Sequence, residues 1–104
     1  MLKLIAFLIV FSSVHIISYA QLRINEICAS NTESLYDEDA DTPDWIELYN
    51  YSNEPINLKD YRISDRNDFD KAWQFPDTII QPNEFLVVFA SNKDRTSSGN
   101  YAMH

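Results

Sequence analysis

Residues 44–50 carry the strongest structural pattern in the chain. Their sequence, Asp-Trp-Ile-Glu-Leu-Tyr-Asn, alternates with the two-residue period of a β-strand and is rich in strand-forming types. Both faces of this strand carry apolar groups, which predicts a position inside a β-sandwich. Glu47 shares a face with Trp45 and Tyr49, and a carboxylate between two aromatic rings is costly unless a partner pairs with it.

The segment 22–28 predicts a first strand. Cys28 is the only cysteine of the chain, so no intrachain disulfide can form, and we interpret it as a small buried apolar residue. Simple alternation places four side chains on one face of this strand, those of Leu22, Ile24, Glu26 and Cys28.

A continuous apolar run at 85–90 is typical of a central strand that is buried on both faces. Residues 81–84, Gln-Pro-Asn-Glu, precede it and fit a turn with proline at the second position. No segment after residue 20 has the periodicity of an amphipathic helix, so the pattern predicts an all-β fold, an antiparallel sandwich or barrel. Shorter strands are expected at 56–58, 61–64, 72–75 and 79–80.

Residues 29–43 form a polar, acidic segment that is too long for a hairpin turn. We therefore expect a surface loop of the kind that often carries function. Gly99 is the single glycine, so Asn and Asp are expected to supply most of the left-handed turn positions.

Three aspartates of this acidic loop have the alternate spacing found at the start of a calcium-binding loop. The rest of an EF-hand is missing, because the sixth position is Thr42 instead of glycine and the twelfth is Leu48 instead of glutamate. An irregular calcium site is the specific hypothesis, and a solvated acidic loop is the alternative. The candidate calcium ligands are Asp37, Asp39, Asp41 and Asp44.

The first twenty residues have the layout of a secretory signal peptide. Lys3 gives a positive start, an apolar run follows, and Ser18-Tyr19-Ala20 supplies small residues before a cleavage site after Ala20. Ser12, Ser13 and His15 interrupt the run, which disfavours an uncleaved membrane anchor. The prediction is a signal peptide at 1–20, a domain at 21–104, a secreted or cell-surface location and no membrane span after cleavage.

Composition excludes several function classes. Beyond residue 20 the chain has seven basic and sixteen acidic residues, a formal charge of −9, which disfavours nucleic acid and anionic membranes as partners. The one histidine in this region is His104, at the last position, so catalytic triads and Cys/His zinc sites have no support. We expect no catalytic residues and no cofactor other than calcium.

Several other residues have both a functional and a structural interpretation. Glu26 and Glu47 would need partners such as Arg62 if they point inward, and we favour a structural role over a paired-acid hydrolase site. Asn50-Tyr51-Ser52 is an N-glycosylation sequon. Aromatic residues at strand spacing are more often core than ligand surface; these are Trp45, Tyr49, Tyr61, Trp73 and Phe75.

Taken in order, these segments resemble the bacterial secreted type of the lamin tail domain, an immunoglobulin-like β-sandwich. The resemblance spans roughly residues 22–95. After Ser91 the chain departs from the family pattern, which continues with further strands, so the resemblance implies a fragment with the final strands missing. The matching motifs are INEI at 24–27, ASN at 29–31, PDWIELYN at 43–50, EPINL at 54–58, YRISD at 61–65, WQFPD at 73–77 and FLVVFAS at 85–91.

The resemblance implies a non-catalytic binding or tethering module that works outside the cytoplasm as part of a larger secreted protein. Its expected partners are a protein or cell-surface ligand, or neighbouring domains of a longer parent chain. Two alternatives stay open: a purely structural spacer, and the N-terminal accessory domain of a secreted hydrolase, nuclease or spore-coat-kinase-like enzyme. The reading frame beyond His104 would separate an enzyme parent from a free-standing module.

Overall fold

The computed structural model describes residues 21–97 and 101–103, so the predicted signal peptide at 1–20 lies outside the described residues, as do Gly99 and His104. Two 3₁₀ turns, Leu58–Asp60 and Phe69–Lys71, interrupt an otherwise all-β arrangement. Within these residues no helix is long and apolar enough to cross a membrane. The strands are β1 (Leu22–Cys28), β2 (Asp44–Asn50), β3 (Ile56–Asn57), β4 (Arg62–Ile63), β5 (Trp73–Gln74), β6 (Ile79–Ile80), β7 (Phe85–Ala90) and β8 (Ala102–Met103).

The strands form one four-stranded sheet in the order β1-β2-β7-β8 and two small ladders, β3–β6 and β4–β5. Neighbours are antiparallel, with the exception of β7 and β8, which run parallel with Phe89 opposite Ala102. The predicted all-β sandwich is confirmed. The short β8 was not predicted as a strand, because residues 101–104 are too few to show a period.

The main core lies between the four-stranded sheet and the two ladders. Leu48 and Val88 project from the large sheet, and Leu58 and Ile80 are fully buried opposite them. The ring of Trp73 packs edge-on against Phe75 at a centroid distance of 5.0 Å. The buried members of this core are Leu48, Ile56, Leu58, Trp73, Phe75, Ile80, Val88 and Tyr101.

A second, smaller cluster covers the outer face of the large sheet. Trp45 and Phe89 are opposite each other on β2 and β7, and they pack with Ala102 of β8 and Leu35 of the acidic loop. Both faces of β2 are therefore apolar, as the sequence predicts. On the outer face Leu35 of the acidic loop packs against this cluster, whereas Ala102 lies within the sheet, beside Phe89.

A bulge at Asn25 divides β1 into two halves. Ile24 lies opposite Leu48, whereas Glu26 lies opposite Glu47. Because adjacent residues of β2 face opposite ways, Glu26 is on the outer face and Ile24 is on the core face. The prediction that Leu22, Ile24, Glu26 and Cys28 share one face is wrong for this reason.

The turn before β7 has the predicted geometry. The Glu84 N–H donates to the carbonyl of Gln81 at 3.1 Å, and Asn83 has a positive φ of 61° after Pro82. This is a type II turn. In the described part of the chain, the other non-glycine residues with positive φ are Ser30, Ala40, Asn92 and Asp94, so Asn and Asp supply three of the five left-handed positions found there.

Candidate functional site

The acidic loop is folded around one aspartate. Oδ1 of Asp37 accepts the backbone N–H groups of Asp39 and Asp41, each at 3.0 Å. The Asp37 N–H donates to the Asp41 carbonyl at 2.9 Å, and the Ala40 N–H donates to the Asp37 carbonyl at 3.0 Å. These bonds draw the loop into a tight turn, and the Asp37 side chain is only 4% exposed.

Lys93 reaches this turn from the loop that follows β7. Its Nζ donates to Oδ2 of Asp39 at 2.7 Å and to Oδ2 of Asp41 at 2.8 Å, and it also bonds Oδ2 of Asp37. One carboxylate oxygen from each aspartate lies within 4.8 Å of the others. The ammonium group thus occupies the space between three carboxylates where a metal ion would bind.

Arg95 completes the cluster from the side. Its Nη2 donates to Oδ2 of Asp39 at 2.7 Å, and its Nη1 lies 2.6 Å from Oε1 of Glu38. The backbone of Arg95 pairs with Ala102 of β8 through two bonds of 2.9 Å. The cluster therefore joins the acidic loop to the last described strand, and we call it the acidic clamp: Asp37, Glu38, Asp39, Asp41, Lys93 and Arg95.

Four groups of the acidic clamp have pKa values that its ion pairs shift toward the charged forms. Hydrogen bonds from Lys93 hold the pKa of the Asp37 carboxyl below its usual value, and Lys93 together with Arg95 does the same for Asp39. Asp37 in turn raises the pKa of Lys93, and Asp39 raises that of Arg95. All four groups are charged at neutral pH.

Asp44 does not join the other three candidate calcium ligands. Its Oδ1 accepts the backbone N–H of Asn31 at 2.9 Å, at the base of the acidic loop. The structure thus brings together Asp37, Asp39 and Asp41 and places Asp44 in a structural role. Calcium binding stays a prediction, and a calcium ion would have to displace the Lys93 ammonium group.

Asn31 is a structural residue that the sequence interpretation missed. It is 8% exposed, and its Nδ2 donates to the carbonyls of Leu35 at 2.7 Å and Pro43 at 2.9 Å. Its Oδ1 accepts the backbone N–H and the hydroxyl of Ser34, and the Ser34 hydroxyl accepts Nε1–H of Trp45. These bonds fix both ends of the acidic loop against β2. The Asn-x-x-Ser spacing of Asn31 and Ser34 is the sequence signal that could have indicated this role, because it favours hydrogen bonds between side chains and the local backbone.

Asn50 has the same role at the other end of β2. It is fully buried, and its Nδ2 donates to the carbonyls of Glu54 at 2.8 Å and Ile80 at 3.0 Å. Its Oδ1 accepts the N–H and hydroxyl of Ser52 at 3.0 and 2.7 Å. All four hydrogen-bonding positions of the amide are filled. The Asn50-Tyr51-Ser52 sequon is therefore inaccessible in the folded domain.

The two candidate glutamates are on the outer face, next to each other across β1 and β2. Glu47 accepts Nδ2–H of Asn25, the bulged residue, at 2.8 Å. The suggestion of Arg62 as partner is wrong, since Arg62 donates to the carbonyl of Phe69 and lies over its ring at 4.5 Å. Glu47 serves to hold the bulge, which is a structural role.

Aromatic rings form a second surface feature, on the outer face beyond Glu47. Tyr49 and Phe85 stack with a centroid distance of 4.4 Å, and the Arg23 guanidinium lies 5.3 Å from the Tyr49 ring centroid and 5.1 Å from that of Tyr51. Phe85 is 51% exposed. The core interpretation is confirmed for Trp45, Trp73 and Phe75, but it is wrong for Tyr61, which is 43% exposed, and Tyr49 is only half-buried. We call this surface feature the aromatic patch: Arg23, Tyr49, Tyr51 and Phe85.

The fold is that of an immunoglobulin-like β-sandwich module. The model of the Lamin Tail Domain family matches residues 17–103. The chain therefore belongs to the lamin tail domain family. Among curated proteins and solved structures, no match was found.

Proposed function

We propose that this lamin tail domain is an extracytoplasmic, non-catalytic binding or tethering module, made as part of a larger secreted protein. The observation that carries the proposal is the aromatic patch. The exposed Phe85 ring lies against Tyr49, and Arg23 and Tyr51 extend the same surface, which is the kind of contiguous exposed patch that marks interaction sites.

The patch is well suited to binding because it is already ordered. The Tyr49 ring is held by the Phe85 stack and by its hydroxyl, which donates to Oδ1 of Asn83 at 3.1 Å. Rigid aromatic rings lose little conformational entropy on contact with a ligand, and arginine and tyrosine are frequent at the energetic centres of interfaces. The ligand class we propose is a protein or surface component of the cell envelope, or a neighbouring domain of the parent chain.

Secretion is tested with an alkaline phosphatase reporter fused after His104, because that enzyme is active only outside the cytoplasm. We expect activity with residues 1–20 present and none when they are deleted, together with a purified chain that begins at Gln21 by mass spectrometry. Equal activity of the two fusions would contradict the extracytoplasmic location.

Binding is tested by co-sedimentation of the purified chain with washed envelopes of the organism that makes it. Phe85→Ala should weaken retention by about tenfold or more. Phe69→Ala is the matched control, because Phe69 is 70% exposed on a different surface beside Arg62. If both variants sediment like the original chain, the aromatic patch is not the binding surface.

We also propose that the acidic loop binds calcium through Asp37, Asp39 and Asp41. Proximity of three carboxylate oxygens supports this, since calcium accepts irregular oxygen shells. Millimolar calcium should raise the melting temperature of the chain. The increase should be larger in Lys93→Gln, because the competing ammonium group is absent.

Two aspartate variants make the calcium test specific to the loop. Asp39→Asn should remove the effect of calcium, whereas Asp44→Asn should keep it, because Asp44 bonds Asn31 instead. A melting temperature that is the same with calcium and with chelator, in both the original chain and Lys93→Gln, would eliminate calcium binding.

A further inference from the structure

Strand β1 is an edge strand of the four-stranded sheet. It pairs with β2, and no other strand among the described residues pairs with its opposite edge. Edge strands present unpaired backbone groups that can accept another strand. Ile24 and Ile27 of β1 are 52% and 63% exposed. Two exposed isoleucines on an unpaired edge make this strand a template for pairing with another strand.

The bulge at Asn25 determines which side chains of this edge face the same way. Ile24 lies opposite Leu48, and Ile27 lies opposite Ile46, so both are on the core face. Arg23 and Glu26 lie opposite Tyr49 and Glu47, which places both on the outer face. The edge therefore has an apolar core side and an outer side with one positive and one negative charge.

The sequence of side chains along β1 is complementary to that of a second β1 strand in one antiparallel register. In this register the two-fold axis passes between Ile24 of one copy and Ile24 of the second copy, and Asn25 of each copy is left out of the ladder. Leu22 is then opposite the second copy's Ile27. Arg23 is then opposite the second copy's Glu26. Directly opposite residues of an antiparallel pair share a face, and here each pair matches apolar with apolar or positive with negative.

A cleft beside the edge provides room for the side chains of the second copy. It has a volume of about 170 Å³ and runs between β1 and β4. Its apolar lining comes from Leu22 and Ile24 of β1, from Tyr61 and Ile63, and from Leu48 and Phe75, and Arg23 and Arg62 also line it. The second copy's Ile27, placed opposite Leu22, would be next to this cleft.

We propose that two copies of this chain associate through antiparallel pairing of β1 with β1, in the register centred on Ile24. The sheet becomes eight-stranded across the pair, and each Arg23 forms a cross-strand ion pair with the second copy's Glu26. Arg23 also belongs to the aromatic patch, but pairing of β1 with β1 requires no ligand there.

The test is the mass of the purified, secreted chain by sedimentation equilibrium over a wide concentration range. We expect a monomer–dimer equilibrium in the original chain. Arg23→Glu should weaken dimerisation by about tenfold or more, because it places two pairs of like charges opposite each other. Glu26→Arg should do the same, and the double variant Arg23→Glu/Glu26→Arg should restore the dimer.

Arg66→Glu is the matched control, since it makes the same charge change at an exposed position outside β1, and it should dimerise like the original chain. Melting curves confirm that every variant is folded. A monomer at all concentrations, or a dimer that Arg23→Glu leaves intact, would overturn the proposal. So would a monomer with β1 amides protected from hydrogen exchange, because another segment of the same chain would then cover the edge.

Discussion

Asn50→Ala is expected to lower the free energy of unfolding by about 3 kcal/mol, because it removes the four hydrogen bonds of a fully buried amide. The Ile80 carbonyl and the Ser52 N–H would lose their bonds to the Asn50 amide, and the Glu54 carbonyl would keep only its bond from the Ser52 hydroxyl. Asn50 is fully buried, so water cannot replace the amide without opening the turn. This is the largest single-residue effect that we expect in the domain.

Urea unfolding followed by tryptophan fluorescence measures this change, since Trp45 and Trp73 are both buried. Asn53→Ala is the matched control: it removes the same side chain from an exposed position in the same turn and should change stability by less than about 0.5 kcal/mol. If Asn50→Ala and Asn53→Ala had equal free energies of unfolding, the hydrogen bonds of Asn50 would make no net contribution to stability.

Lys93→Met is expected to lower the melting temperature at neutral pH, because it leaves the carboxylates of Asp37, Asp39 and Asp41 close together with only Arg95 beside them. The difference from the original chain should depend on pH. The depressed pKa values of Asp37 and Asp39 mean that their stabilisation is present above the unfolded value of 3.8 and is lost as pH falls through the folded values.

At alkaline pH the protonation of Lys93 determines how much the ion pairs stabilise the fold. The raised pKa of Lys93 means that its contribution is complete below 10.5 and is lost only as pH rises through the higher folded value. The difference in melting temperature between the original chain and Lys93→Met should therefore be greatest at intermediate pH and should narrow in acid. Lys59→Met, at an exposed position of the first 3₁₀ turn, should show no comparable loss. A difference that does not change with pH would contradict the ion-pair account.

The three long strands were predictable because each has enough residues to show a period. The bounds of β1, β2 and β7 agree with the sequence pattern at both ends. The turn at 81–84 was predictable because proline and asparagine each restrict φ in a known way. In contrast, β8 has two residues, and its parallel pairing with β7 depends on where the chain returns after a loop.

The candidate site was predictable only in part. The spacing of Asp37, Asp39 and Asp41 correctly indicates that their carboxylates lie close together. The spacing contains no information about Lys93, which is more than fifty residues away in sequence and reaches the loop only because β2 and β7 are neighbours. The prediction of the face on which Glu26 lies was wrong, because a one-residue bulge reverses the alternation of side chains along β1. The sequence around Asn25 gives no sign of this bulge.

The buried amide of Asn50 also affects the choice of expression host. A eukaryotic secretory pathway attaches glycans to sequons as the unfolded chain emerges, so Asn50 would be modified before its hydrogen bonds to Glu54 and Ile80 could form. A glycan on Nδ2 does not fit in a site with no exposed surface. Glycosylation and folding would then compete for the same nitrogen atom. A host without N-glycosylation, or Ser52→Ala as a sequon-free variant with weaker support for Asn50, avoids that competition.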